Sequence, residues 1–409
     1  MNLVTMTDRM EYIAQRILEL SESETLAMTR RSRELTAQGI EVINLSIGEP
    51  DFNTPENIKE AAIRAIHGNK THYPPVPGFP ELRKAICHKL KRDNNLEYSP
   101  EQIVVSTGAK HSITNAVLSL VNEGEEVILP APYWVSYKEM VKLARGKAVY
   151  LSAKCEDDYK ISAEELERHI TPKTKVILYS SPCNPTGSVY SRDELAGFAA
   201  VIARHPGLMV ISDEIYELIN MDGEHESIAQ FEEIRDRVVL INGVSKGFAM
   251  TGWRLGYMAA PLQVAKACEK LQGQVTSATS SISQYAAIEA MMTDPKTSPE
   301  IHEMVNTFRT RRDKMKEILN TIPGLKSHMP KGAFYFFPDV TSYFGKSYNG
   351  KEMRDACDLT MYLLDVGHVA LVPGDAFGNP DCIRISYAAS MDQLLEAMDR
   401  IRKALAELR

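Results

Sequence analysis

The chain has 409 residues, of which 44% are hydrophobic and 25% charged, the balance of a folded globular protein and not of a disordered or fibrous one. Its 47 basic and 54 acidic side chains leave a net charge of −7, so no basic surface for nucleic acid or an anionic membrane is expected. At roughly 150 residues per domain, the length predicts two or three domains.

Residues 1–20 carry Asp8, Arg9, Glu11 and Arg16 and lack the apolar core of an export signal. No run of about 18 apolar residues follows, which excludes a transmembrane helix. Cys87, Cys155, Cys183, Cys268, Cys357 and Cys382 stand singly, with no C-x-x-C pair. That spacing suits free thiols in a reducing, cytoplasmic compartment and neither a disulfide framework nor a zinc site. Glu224-His225-Glu226 reads as a solvated loop, and no metal site is expected.

In chain order, short apolar runs recur at 103–106, 127–129, 148–151, 176–179, 208–212, 238–241 and 255–260. Their length and β-branched content predict strands. Capped helices lie between them: Ser162 with Glu165, and Ser191 with Glu194, fit the capping box. Strands alternating with helices predict a mostly parallel α/β sheet covered by helices on both faces. Beyond about Asp294 the character changes. Ser298-Pro299-Glu300 opens a helix, and residues 300–321 read as long, charged and largely exposed. Residues 332–337 follow as a strand, and Ser390 with Gln393 caps a final helix. A boundary near 295 is expected.

Some familiar motifs are absent. Gly345-Lys346-Ser347 ends like a P-loop, but Val340 stands where its first glycine belongs. There is no G-x-G-x-x-G after a strand and no G-x-S-x-G elbow. The informative residues sit at strand ends, where open α/β sheets bind ligands. They are Thr107-Gly108-Ala109-Lys110, Asn184-Pro185-Thr186-Gly187, Asp213-Glu214-Ile215-Tyr216 and Ser245-Lys246 with Arg254. Each alone is an ordinary turn, cap or solvated side chain. Together they place a lysine, an acid, a tyrosine, an amide and a phosphate-ready helix start on one sheet edge. That set suits an aromatic aldehyde phosphate held by lysine.

The run Asn242-Gly243-Val244-Ser245-Lys246 through Thr251-Gly252-Trp253-Arg254 resembles the lysine motif of fold-type I pyridoxal-phosphate aminotransferases. The likeness extends in order through Leu45 to Phe52, Tyr73 with Pro77-Gly78, Asn184 to Gly187, Ser212 to Tyr216 and Ile383 to Tyr387. It is greatest to the prokaryotic-type aspartate aminotransferases, a branch with prephenate-active members. The resemblance implies a large domain over 48–295, with a seven-stranded, mostly parallel sheet. It also implies a smaller α/β domain from 1–47 and 296–409.

It further implies site roles. Lys246 forms a Schiff base with pyridoxal 5′-phosphate and moves the substrate's Cα proton. Asp213 keeps the ring nitrogen protonated, and Tyr216 and Asn184 bond the phenolic oxygen. Trp134 stacks on the ring. Amides of Gly108, Ala109 and Lys110 take the phosphate with Arg254. Tyr73 reaches the neighbouring subunit's phosphate, so a homodimer is implied. Arg384 clamps the substrate α-carboxylate with Asn184 and the Gly48 backbone. Lys110 and Thr25 take a side-chain carboxylate. Gly243 departs from the eukaryotic-type branch, which has serine there. Pro132 and Pro185 match positions that are often cis. The implied reaction passes the amino group of L-aspartate to 2-oxoglutarate by a ping-pong cycle. Prephenate or aromatic substrates, a lyase on the same scaffold, and a silent cofactor-binding regulator stand as alternatives. No DNA-binding extension marks the last of these.

Overall fold

The computed structural model describes residues 12–21 and 24–409, without the side chains of 24–27 and 29. A first short strand, β1 (Ile43–Asn44), precedes the main sheet. The sheet's strands are β2 (Ile103–Ser106), β3 (Glu126–Ala131), β4 (Lys147–Ser152), β5 (Thr174–Ser180), β6 (Met209–Asp213), β7 (Val238–Gly243) and β8 (Gly256–Ala259). Every predicted apolar run is one of them. Their order is β2-β8-β7-β6-β5-β3-β4. β3, β4, β5, β6 and β7 pair in parallel, while β8 runs antiparallel to both β2 and β7. The mostly parallel sheet is therefore as expected, with one reversed strand.

Alternate side chains of each strand serve opposite faces. On one face Ile103, Val105, Ile177, Val210 and Leu240 pack with helices Pro80–Asn94, Arg192–Arg204 and Ser281–Met292. On the other, Val104, Val127, Leu129, Ile211 and Val239 pack with helices Ala109–Leu120, Ser136–Leu143 and Leu262–Val275. Burial on both faces is why these strands read as unbroken apolar runs. The capping box at Ser191–Glu194 forms in both directions. At Ser162 only the forward half forms, Glu165 N–H donating to Ser162 Oγ at 3.1 Å.

The chain's two ends meet in a third apolar cluster. Ile43 and Leu45 join Met304, Phe308, Phe336, Ile385 and Ile401, and Tyr216 reaches in from the main sheet. The remaining strands are short: β9 (Tyr335–Phe336), β10 (Ser347–Tyr348), β11 (Lys351–Glu352), β12 (Val369–Ala370), β13 (Val372–Pro373) and β14 (Ile383–Ser386). β1 pairs in parallel with β12, and β13, β14 and β9 form an antiparallel sheet.

Three local expectations are corrected. Helix Pro299–Leu319 is half-buried, not largely exposed. Ile301, Met304, Phe308, Met315 and Leu319 line its inner face, and the buried Arg311 and Arg312 find carboxylates on Asp51 and Asp222. Charge-rich composition hid an apolar stripe at helical spacing. The strand expected over 332–337 shrinks to Tyr335–Phe336. His225 is not solvated: its side chain is 7% exposed, and Nε2 lies 2.8 Å from Glu214 Oε2. All six cysteines are free.

Candidate active site

Because β8 is reversed, the carboxyl ends of β2, β7, β6 and β5 share one edge of the sheet. Ser106 and Gly243 both stand opposite Gly256, and Asp213 stands opposite Ser180. β2 runs into a turn at Gly108, where φ is +87°. A Cβ there would lie 2.5 Å from Arg254 Nη2, so only glycine admits both the turn and the guanidinium. At Gly243 a Cβ would lie 2.8 Å from Gly256 Cα. The close β7–β8 approach explains why no serine stands there.

Helix Ala109–Leu120 starts at this turn. The amides of Ala109 and Lys110 have no intrahelical acceptor, as in any first helical turn. Gly108 N–H differs from expectation: it donates to Ser106 O at 2.8 Å. An anion here therefore meets two free amides and not three, together with Arg254, whose Nη1 donates to Thr251 O at 2.8 Å. Lys110 Nζ lies 4.8 Å from the Trp134 ring centroid. Burial, and then repulsion from Arg254, lower its pKa.

β6 ends in Asp213, which is 4% exposed. Tyr137 Oη donates to its Oδ2 at 2.7 Å, and Ile215 N–H to its Oδ1 at 3.2 Å. Burial pushes this carboxyl up to about 6 despite both donors. Lys246 lies beyond β7, its Nζ donating to Gly48 O at 2.6 Å. Burial lowers the amine to about 8; Glu49 opposes this, Arg384 and Arg254 add to it, and Asp213 opposes it. Arg384, on β14, is 2% exposed. Its Nη1 donates to Asn184 Oδ1 at 3.0 Å and its Nη2 to Ser46 O at 2.6 Å. Its Nε is buried with no partner.

These groups enclose a cavity of about 330 Å³. Gly48, Ala109, Lys110, Trp134, Asn184, Asp213, Tyr216, Lys246, Arg254 and Arg384 all line it. Gly108 sits just behind the wall, against Arg254. Tyr73 stands apart, 98% exposed. The side chain of Thr25 lies outside the described residues. The bonds Ala131-Pro132, Ser181-Pro182 and Asn184-Pro185 are cis. Lys110, Lys246, Arg254 and Arg384 bring four cationic groups to one wall, and none has an ion-pair partner among the described residues. Among the described residues, Asp213 is the only carboxylate on the lining.

Residues 40–401 match the family described as aminotransferase class I and II. The chain belongs to the class I and II aminotransferases. A Petunia hybrida protein named bifunctional aspartate aminotransferase and glutamate/aspartate-prephenate aminotransferase is 47% identical over 97% of this chain and 83% of its own length. The aspartate aminotransferase of Rhizobium meliloti superposes with a TM-score of 0.93 at 41% identity, covering 97% and 99% of the two chains. That of Thermus thermophilus, solved with maleate, gives 0.90 at 36% over 96% and 99%.

Enzymes of this aminotransferase family depend on pyridoxal 5′-phosphate, and the site fits that group. It offers an amine of lowered basicity, a buried carboxylate with room beside it, an indole face and two free amides beside a guanidinium. Sequence reasoning missed Tyr137, Ser180 and Tyr335 on the same wall. Tyr137 follows Trp134 at a helical i+3 spacing, and Tyr335 is the one hydroxyl in the run Phe334-Tyr335-Phe336-Phe337. In the cofactor-free aminotransferase, Lys246 is expected to titrate near pH 8, well below an ordinary lysine at 10.5. Competitive acetylation across pH, read by mass spectrometry of the Lys246 peptide, checks this. A midpoint above 10 would contradict the desolvated geometry.

Proposed function

We propose that this aminotransferase passes the amino group of L-aspartate to 2-oxoglutarate, releasing oxaloacetate and L-glutamate. The observation that carries it is the charge of the cavity, four cations against one carboxylate among the described residues. A phosphate would take Arg254 together with the helix start at Ala109, and Lys246 would be taken up by the cofactor's aldehyde. Arg384 and the Lys110 ammonium then remain for the two carboxylates of a dicarboxylic substrate. The names of the relatives and the maleate, itself a dicarboxylate, in the Thermus structure support the same reading.

When bound, the cofactor would supply an aldehyde carbon for the substrate amine and an electron-accepting ring. Lys246 would hold the cofactor through its amine and, as the neutral amine, would move the substrate's Cα proton. Asp213 holds a proton on the ring nitrogen, and Tyr137 and Ile215 fix the carboxylate for that task. Tyr216 and Asn184 would bond the cofactor's phenolic oxygen, and Trp134 would cover its ring. Arg384 grips the α-carboxylate in bidentate fashion, aligned by Asn184 and Ser46, with the Gly48 backbone beside it. Lys110, with Thr25, takes the distal carboxylate. Prephenate also carries two carboxylates, so the same cations favour it as a second amino acceptor.

The reading includes a homodimer with Tyr73 reaching the partner's phosphate. Helices Glu56–His67 and Ser281–Met292 pack together and leave Ile63, Ile66 and Met292 exposed, as a subunit interface requires. It includes a large unit at 48–295 and a smaller one from 1–47 and 296–409, consistent with the separate apolar cluster of the chain ends. It also includes a cytoplasmic location, which free cysteines suit. Among the described residues no helix is long and apolar enough to cross a membrane.

The test is spectroscopic. L-aspartate added without a keto acid is expected to bleach the visible band of the bound cofactor, and 2-oxoglutarate to restore it. A band that aspartate leaves unchanged would remove the dicarboxylate assignment.

A further inference from the structure

We propose that Tyr335 is a positioning residue that carries the charge of Arg384 to the hydroxyl of Tyr216, and so sets how strongly Tyr216 donates to the cofactor's phenolic oxygen. The proposal rests on the roles given above to Lys246 and Tyr216.

The geometry is a buried file of three groups. The Arg384 guanidinium carbon lies 4.6 Å from the centroid of the Tyr335 ring. Tyr335 Oη lies 2.8 Å from Tyr216 Oη. Both phenols are buried, and each hydroxyl has only the other as a described hydrogen-bond partner. Two hydroxyls share one bond, so one O–H lies between them and the other is left to donate elsewhere. The cation decides which. A positive charge beside Tyr335 makes its phenol the more acidic of the two, so Tyr335 donates and Tyr216 accepts. The free O–H is then that of Tyr216, on the cavity wall. A hydroxyl that accepts a bond becomes a stronger donor through its own proton.

The electrostatics agree with this order. Burial raises both phenols. Arg384 lowers both phenols; the bond to Tyr216 lowers Tyr335 further, while Tyr335 pushes Tyr216 up. Arg384, Asp213 and Lys246 are the charged groups facing the pair, with Lys246 Nζ 5.9 Å from the Tyr216 ring. Tyr387 lies at longer range.

Tyr335→Phe removes the hydroxyl and keeps the ring under Arg384. The readout is the pH midpoint of the visible absorbance of the enzyme loaded with pyridoxal phosphate, with no substrate present. Weaker donation from Tyr216 leaves the basic form of the bound cofactor less stabilised, so it takes up its proton at higher pH. The midpoint is expected to rise by about half a pH unit or more. Tyr216→Phe is expected to raise it further, and Tyr335→Phe added to that variant to move it by less than about 0.2 units, because the relay has already been cut. An unmoved midpoint in Tyr335→Phe, or an equal shift in the Tyr216→Phe background, would overturn the relay alone. A wild-type enzyme without a pH-dependent visible band would overturn the cofactor roles, and the relay with them.

Discussion

Lys246→Ala is expected to lower kcat by at least about 10⁴-fold, because in the proposed reaction one amine serves as both covalent anchor and proton carrier. The fold should survive. The amine makes a single hydrogen bond, to Gly48 O, and burial already disfavours its charge. Its loss therefore removes a desolvated cation and opens extra room in an existing cavity. Borohydride reduction separates this role from that of the other amine on the wall, Lys110. In the wild type, reduction should fix the cofactor's mass on the Lys246 peptide. In the variant no peptide should carry it. A gain on the Lys110 peptide, with activity retained, would move the anchor there.

Asp213→Asn is expected to reduce kcat on the order of 10³-fold while leaving a folded protein, since a neutral amide cannot hold a proton on the ring nitrogen. Its effect on stability has a definite sign. The carboxyl's folded-state value of about 6 lies above its ordinary 3.8, so the cofactor-free folded protein binds this proton more tightly than the unfolded chain does. The stability it contributes is full below 3.8 and is lost as pH rises through about 6. The melting temperature of cofactor-free wild type, relative to Asp213→Asn, should therefore fall across that window. In the loaded enzyme a cationic ring nitrogen opposes the desolvation, and the fall should shrink. A variant that fails to fold would make Asp213 structural.

The main sheet was legible because burial on both faces writes each strand as an apolar run that no exposed loop imitates. The reversal of β8 was not, since an apolar run carries no direction. The cavity's lining was legible residue by residue at Lys246, Asp213 and Arg254, at or just beyond strand ends. The spent amide of Gly108 was hidden, because a tight turn's internal bond depends on φ and not on residue type. His225 was misread for a similar reason. Flanking glutamates suggest solvent, but Glu214 turns inward and accepts from Ser212, Ser227 and His225. Glu217, beside it, is ion-paired with the buried Lys89. Tyr335 escaped because its partner lies 119 residues away.

The bond from Arg384 to Ser46 joins positions 338 residues apart, and β1 finds its partner only in β12. A ribosome adding about 5–20 residues per second needs roughly 17 to 70 s to travel between them. Within that interval the growing chain gains first the helix start at Ala109 and then Lys246 of the cavity wall. The carboxylate grip is still untranslated. Completion of the cavity is therefore among the last events of biosynthesis, and a message truncated between codons 260 and 384 would encode every strand of the main sheet but not Arg384.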